Sequence, residues 1–153
     1  MKNKILQHVI NNVELEILNY KCDYVGIKRA KSNGYYFLND KLYITYEGGS
    51  TGKSLVDCKP ILSPLSDLKN NIGADKNSVT YAAYLKLWVA ADIDFVINMP
   101  LSCDYFTVQK MLEWHFDVFG LIEKGLAIDK NILIEDAINK EVNNFSDRFH
   151  PED

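Results

Sequence analysis

The sequence of 153 residues contains only three cysteines, four prolines and three histidines. Cys22, Cys58 and Cys103 are odd in number and far apart along the chain. They therefore match neither a disulfide framework nor a paired metal knuckle, and we predict three free thiols.

Long apolar runs and an excess of basic residues are also missing. No stretch approaches the roughly 20 apolar residues that span a bilayer, and residues 1–12 lack the apolar centre of a signal peptide. Seventeen basic and twenty-one acidic residues give a net charge of −4. This argues against a general nucleic-acid-binding protein, which normally carries a basic face. We expect a soluble, cytoplasmic protein that does not bind membranes.

The composition does supply enough apolar residues, 47% of the total, for a sizeable core. The length suits a single domain over residues 1–153. Residues 13–58 are predicted mostly as strands and residues 63–142 mostly as helices. The predicted fold class is α+β, with an N-terminal antiparallel β-meander packed against a helical C-terminal half.

The strand signals are strongest in the first third of the chain. Residues 13–18, VELEIL, alternate apolar and charged side chains, which is typical of a half-buried strand. Residues 22–28 are a candidate partner for it. Residues 35–38 and 42–46 flank Asn39-Asp40-Lys41, which predicts a hairpin.

Tyrosines are concentrated in this predicted hairpin. Adjacent strand residues face opposite ways, so some of the rings should lie outside the core. We predict a partner-binding surface, where tyrosine is favoured, with cross-strand packing as the alternative. The candidate residues are Tyr35, Tyr36, Tyr43 and Tyr46.

Residues 48–54, GGSTGKS, resemble a phosphate-binding loop, but the spacing is wrong. The pattern G-x-x-x-x-G-K-[ST] needs glycine at position 47, which is Glu47. Pro60 also leaves little room for the helix that should follow Lys53. We favour a flexible link and keep nucleotide binding by Lys53 and Ser54 as an alternative.

The middle of the chain carries further helix signals. Ser63-Pro64 is a typical helix start, with serine as cap and proline first, and the helix should end near Gly73. Residues 79–91 predict a buried helix capped by Ser78. Asp92 and Asp94 could be a carboxylate pair for metal or acid–base chemistry. We favour a helix end followed by a short extended piece.

The strongest predicted element is one long helix within the stretch of residues 101–131. Ser102 or Asp104 can cap its first turn, and Gly125 can end it. A last helix over residues 132–142 should begin at Asp129 or Asn131, after a short strand at residues 126–128 that returns to the sheet. The apolar stripe of the long helix is formed by Tyr105, Val108, Leu112, Phe116 and Phe119.

His115 lies within that stripe, and two interpretations are open. It could act as a general base or metal ligand, or it could be a core histidine bonded to backbone. We favour the second, because His8 and His150 lie near the chain ends and no local pattern supplies a nucleophile or an orienting carboxylate.

Two stretches resemble a known family. Residues 59–68, KPILSPLSDL, and residues 114–131, WHFDVFGLIEKGLAIDKN, are similar to signatures of small uncharacterised proteins encoded by phages and prophages of Bacteroidetes bacteria. The resemblance covers about half of the chain, and Ser63 stands where the family has a basic residue. It implies a mobile-element protein acting inside a bacterial cell, but no site residues.

From these observations we predict a phage or prophage accessory protein that binds a host protein without catalysis. An inhibitor of a bacterial immune system, of the anti-CRISPR kind, is the specific expectation. We predict no catalytic residues, no metal and no cofactor. One alternative is an enzyme or nucleotide-binding protein using residues 48–54, and another is an assembly protein of the virion or its replication complex.

Overall fold

The computed structural model describes residues 2–17, 29–49, 52–54, 57–70, 80–89 and 92–149. Its strands are β1 (Glu14–Ile17), β2 (Arg29–Leu38), β3 (Lys41–Tyr46), β4 (Lys53–Ser54), β5 (Cys58–Leu62) and β6 (Ile128–Asp129). Its helices are α1 (Lys2–Val9), α2 (Tyr81–Val89), α3 (Ile93–Asn98), α4 (Tyr105–Glu113) and α5 (Lys130–Phe149). Two short 3₁₀ helices span Leu65–Lys69 and Pro100–Ser102.

The strands form one sheet in the order β4-β3-β2-β1-β5-β6. Every pair is antiparallel except β5 and β6, which run parallel. The predicted α+β class is confirmed, although the sheet is mixed rather than a simple meander. The predicted strand at residues 13–18 is found as β1, between β2 and β5. Residues 22–28, its suggested partner, lie outside the described residues.

The predicted hairpin joins β2 to β3. Leu38 pairs with Lys41, so the turn contains only Asn39 and Asp40. Both have positive φ, 49° and 61°, as a type I′ turn requires, and Asn and Asp tolerate that conformation better than most residues. The turn holds the ends of the two strands in register.

Within the described ranges, the core consists of two clusters of buried side chains. The sheet cluster lies between α1 and the sheet and includes Val9, Leu15, Ile44 and Leu62. The helical cluster includes Leu68, Leu85, Val96, Met111, Leu112 and Phe116. Phe119, half-buried, packs against both clusters and so connects the two halves.

The predicted long helix is wrong, because α4 ends at Glu113. Asp104 caps its start by accepting a hydrogen bond from the amide of Thr107 at 2.8 Å. At its end, His115 takes a left-handed φ of 62°. The amide of His115 donates to Leu112 O at 3.0 Å and that of Phe116 donates to Met111 O at 2.9 Å. This is a Schellman motif, with histidine where glycine is usual.

The chain after α4 folds back instead of continuing as a helix. The carboxylate of Asp117 accepts hydrogen bonds from the amides of Leu121 at 2.7 Å and Ile122 at 3.0 Å. Such side-chain bonds give the backbone an alternative to the helix. Gly125 therefore lies in a later turn, and Tyr105, 83% exposed, lies outside the core.

Three further helix starts differ from prediction. Pro64 is the cap of a 3₁₀ helix rather than the first residue of an α-helix. Thr80 caps α2 by accepting from the amide of Ala83 at 3.0 Å, whereas Ser78 lies outside the described residues. Asp92 caps α3, so the segment predicted to be extended is helical. In the last two cases a polar side chain at the cap fixes the start of the helix.

The C-terminal elements agree more closely with the sequence. The predicted returning strand is found as β6, and Asp129 begins α5 by accepting from the amide of Asn131 at 2.8 Å. The last helix is longer than predicted, with 20 residues. None of the helices in the described part of the chain is long and apolar enough to cross a membrane.

Candidate binding surface

The end of the β2–β3 hairpin carries a row of exposed apolar side chains. Tyr35 is 46% exposed, Tyr36 38%, Phe37 61% and Leu38 54%. Together with Tyr43 beside them, these residues are named here the hairpin patch. Several large aromatic side chains that are exposed next to one another are typical of an interaction site.

The hairpin patch extends over both faces of the two strands. On one face Tyr36 pairs with Tyr43, and their rings stack with centroids 5.3 Å apart and planes at 12°. On the other face Phe37 contacts Tyr35 edge to face at 6.2 Å. A partner could therefore close around the hairpin rather than lie against one side of it.

Gly52 leaves the space that the stacked pair occupies. A Cβ added there would lie 2.8 Å from Cε1 of Tyr36 and 3.0 Å from Cβ of Tyr43. Glycine at this position therefore lets the chain pass close behind the two rings.

Tyr46 does not belong to the hairpin patch, contrary to prediction. It is 5% exposed and packs in the sheet cluster. Leu42, Ile44 and Tyr46 alternate with Tyr43 and Thr45 along β3, so the first three share the buried face. The same alternation in the sequence could have identified Tyr46 as a core residue. Phe37 and Leu38, which extend the surface, were not among the predicted binding residues.

A second exposed patch was not predicted at all. It includes side chains around the start of α4 that are between 49% and 83% exposed: Phe95, Met99, Leu101 and Tyr105. The predicted long helix placed Tyr105 in the core, which concealed this patch.

Lys53 and Ser54 form strand β4 and pair with Ile44 and Tyr43. The hydroxyl of Ser54 donates to Oδ2 of Asp57 at 3.2 Å. In a phosphate-binding loop the equivalent lysine and serine begin a helix whose amides face the phosphate. The geometry here is that of a strand, so it does not reproduce such a loop.

The two aspartates at the start of α3 have separate structural roles. Asp92 accepts from the amide of Asp94 at 3.1 Å, as a cap. Asp94 pairs with Lys69 at 3.3 Å on an exposed surface. Within the described ranges, no three side chains of the His, Cys, Asp or Glu types gather to hold a metal ion.

The two described histidines lie close enough to influence each other. His8 is fully buried with no hydrogen-bond partner for either ring nitrogen, and burial, with the charge of His115, lowers its pKa to about 4. His115 is half-buried, and burial followed by the charges of Lys130 and Lys31 lowers its pKa. A histidine that acts as a general base needs a hydrogen-bond acceptor that orients its ring. The charges that act on His115 are instead those of two lysines, Lys130 and Lys31.

The two described thiols are free. Burial, followed by the charge of Asp57, raises the pKa of Cys58 to about 12. Burial followed by Asp104 also raises the pKa of Cys103. Because the thiolate is the reactive form, both remain protonated and weakly nucleophilic at neutral pH.

Comparisons with known proteins add no assignment: no protein-family model, no curated protein and no solved structure matches the chain. The exposed surfaces of the protein are therefore the basis for assigning a function.

Proposed function

We propose that this protein acts by binding a host protein through the hairpin patch, without catalysis. One observation carries the proposal: four consecutive apolar residues, Tyr35, Tyr36, Phe37 and Leu38, are between 38% and 61% exposed on a hairpin with a two-residue turn. Tyrosine and phenylalanine bury a large area with few rotatable bonds, so they are effective anchors at interfaces.

The expected partner follows from the resemblance to phage and prophage proteins. That resemblance favours the cytoplasm of a bacterial host, where an inhibitor of the host immune system would act. A CRISPR–Cas effector is the class of target that we propose. The mechanism is steric: the hairpin occupies a groove that the effector needs, and the net charge of −4 favours a basic groove.

The first test is capture of the target from a lysate of a bacterium that carries a CRISPR–Cas system. The tagged wild-type chain is compared with the double variant Tyr35→Ser/Phe37→Ser. The matched control is Ile132→Ser, because Ile132 is 55% exposed but lies on α5, away from the patch. We expect an effector component to be retained by the wild type and the control and lost from the double variant.

The second test measures immunity directly. Cells with an active CRISPR–Cas system are challenged with a targeted plasmid while they express each chain. The wild type and Ile132→Ser should restore transformation, and the double variant should not. Unchanged interference with the wild type present, in cells where the folded protein is detected, would contradict the proposed inhibition.

A further inference from the structure

A cleft of about 440 Å³ lies between helix α5 and strands β1 and β2. Leu15 and Ile17 of β1 belong to the sheet cluster, so Glu16 between them lies on the opposite face of the sheet. Arg29, its partner on β2, lies on that face as well. Helix α5 faces these two charged side chains across the cleft. The volume falls within the range of roughly 300–1,000 Å³ that small-molecule sites occupy.

The helical wall of the cleft combines apolar and charged side chains. Its residues are Leu133, Asp136, Ala137 and Lys140. At about 100° per residue they lie within roughly 100° of one another around the helix. Leu133 is half-buried, and the other three are exposed. A ligand in the cleft therefore meets an apolar strip and two opposite charges on the same wall.

The two charges of the strand wall already pair with each other. Nε of Arg29 donates to Oε2 of Glu16 at 2.6 Å, and the side chain of Glu16 is only 14% exposed. This ion pair uses Nε of Arg29, which leaves the two terminal nitrogens of the guanidinium for an anionic group of a ligand. The strand wall therefore offers a site for a carboxylate.

The two charges of the helical wall are not paired in this way. Among the described residues, neither Asp136 nor Lys140 takes part in an ion pair. They are four residues apart, which corresponds to about 6 Å along the helix axis. A ligand with charge of one sign only would approach a group of the same sign on this wall. The wall therefore favours a ligand that carries a cation and an anion at a similar distance.

We propose that the cleft binds short zwitterionic peptides, with a dipeptide as the smallest that fits. Two extended residues span at most about 7 Å. The ammonium group of the peptide then pairs with Asp136, while its carboxylate contacts Lys140 and the terminal nitrogens of Arg29. Aliphatic side chains of the peptide pack against Leu133 and Ala137. A single amino acid carries both charges on one carbon atom, so it cannot bridge the two helical charges. This site is independent of the hairpin patch.

Titration of the isotope-labelled full-length protein with L-leucyl-L-leucine, followed by backbone amide chemical shifts, tests the proposal. We expect a dissociation constant on the order of 0.5 mM, as suits an open site and a ligand of this size, with the shifts centred on residues 133–140. N-acetyl-leucyl-leucinamide, which is uncharged at both ends, is the control ligand. It should bind at least roughly tenfold more weakly, and so should leucine alone.

Variants of α5 test the contact with the ammonium group. Asp136→Asn should weaken the binding of leucyl-leucine about fivefold. Glu135→Gln is the matched control, because it removes a neighbouring exposed carboxylate outside the cleft. It should change the dissociation constant less than about 1.5-fold. N-acetyl-leucyl-leucine lacks the ammonium group, so it should bind equally to the wild type and to Asp136→Asn.

Three results would overturn the proposal. The first is a lack of shifts at residues 133–140 up to about 10 mM leucyl-leucine. The second is equal binding of the uncharged peptide or of leucine alone, because the charges and their spacing would then not select the ligand. The third is a control variant that weakens binding as much as Asp136→Asn does.

Discussion

The amide of Phe116 donates a hydrogen bond to the carbonyl oxygen of Met111 at 2.9 Å, and this contact closes helix α4. The residue immediately before Phe116 is His115, which has a φ of 62°. Both Met111 and Phe116 are fully buried in the helical cluster. The helix therefore ends where two apolar side chains meet, although the residue in the left-handed position is not glycine.

His115→Gly should be more stable than His115→Ala by about 1 kcal/mol, because alanine carries a Cβ penalty in the left-handed region and glycine does not. Comparing these two variants removes the effect of losing the imidazole, which both lack. Urea unfolding followed by circular dichroism gives the two free energies. Equal stabilities would mean that the left-handed conformation of residue 115 is not retained.

Because of His8, the free energy of unfolding should decrease as the pH is lowered. The pKa of His8 in the folded protein, about 4, lies below the ordinary histidine value of 6.5, so the unfolded chain binds the proton more readily. The contribution of neutral His8 to the free energy of unfolding is fully present above pH 6.5. It is lost between pH 6.5 and about 4, and the loss amounts to about 3 kcal/mol. The lowered pKa of His115 acts in the same direction.

His8→Leu tests this assignment, since it keeps an apolar side chain of similar size without a titrating group. Unfolding free energies measured between pH 4 and 7 should show a much shallower slope for the variant. His115→Gly, measured in parallel, removes both the titration of His115 and its charge on His8. An unchanged slope in His8→Leu would assign the pH dependence to other groups.

Asp117→Ala should destabilise the protein by about 3 kcal/mol, because the amides of Leu121 and Ile122 would lose their acceptor in a buried turn. Asp117→Asn retains one carbonyl oxygen and should cost roughly half as much. Glu123→Ala, at an exposed neighbouring position, is the control and should change stability by less than about 0.5 kcal/mol. Thermal unfolding distinguishes the three variants.

Gly52→Ala should displace the ring of Tyr36 from Tyr43, since the new Cβ would lie 2.8 Å from Tyr36 Cε1. We expect a loss of about 1–2 kcal/mol in stability and a changed near-ultraviolet circular dichroism signal. In a Tyr36→Leu background the same substitution should cost less than half as much, because the ring is absent. A cost that is independent of residue 36 would contradict the proposed contact.

The sequence predicted features that depend on local chemistry. The hairpin was identified because Asn39 and Asp40 suit the positive φ of its turn, and β1 was identified because its side chains alternate. The end of α4 was not predicted, because histidine is an unusual residue for a left-handed cap and the side-chain bonds of Asp117 act over four and five residues. The apolar periodicity of the sequence continues through His115 and Asp117, so periodicity alone does not reveal where the helix ends.

The candidate surface was predicted only in part, for a different reason. Tyr35 is 46% exposed although it shares a face of the sheet with the buried Tyr46, and Tyr36 lies on the opposite face beside Tyr43. Which part of a strand is covered depends on elements far away in the sequence. The exposed apolar side chains of α5 have the same origin: their periodicity predicts an apolar side, but not whether the protein itself buries it.

Phe119 connects the cluster beneath the sheet to the cluster among the helices. Loosening one cluster should therefore weaken the other, so heating should disrupt both at the same temperature. A molecule that binds to the helical half would then also slow amide hydrogen exchange in the strands, away from its own binding site.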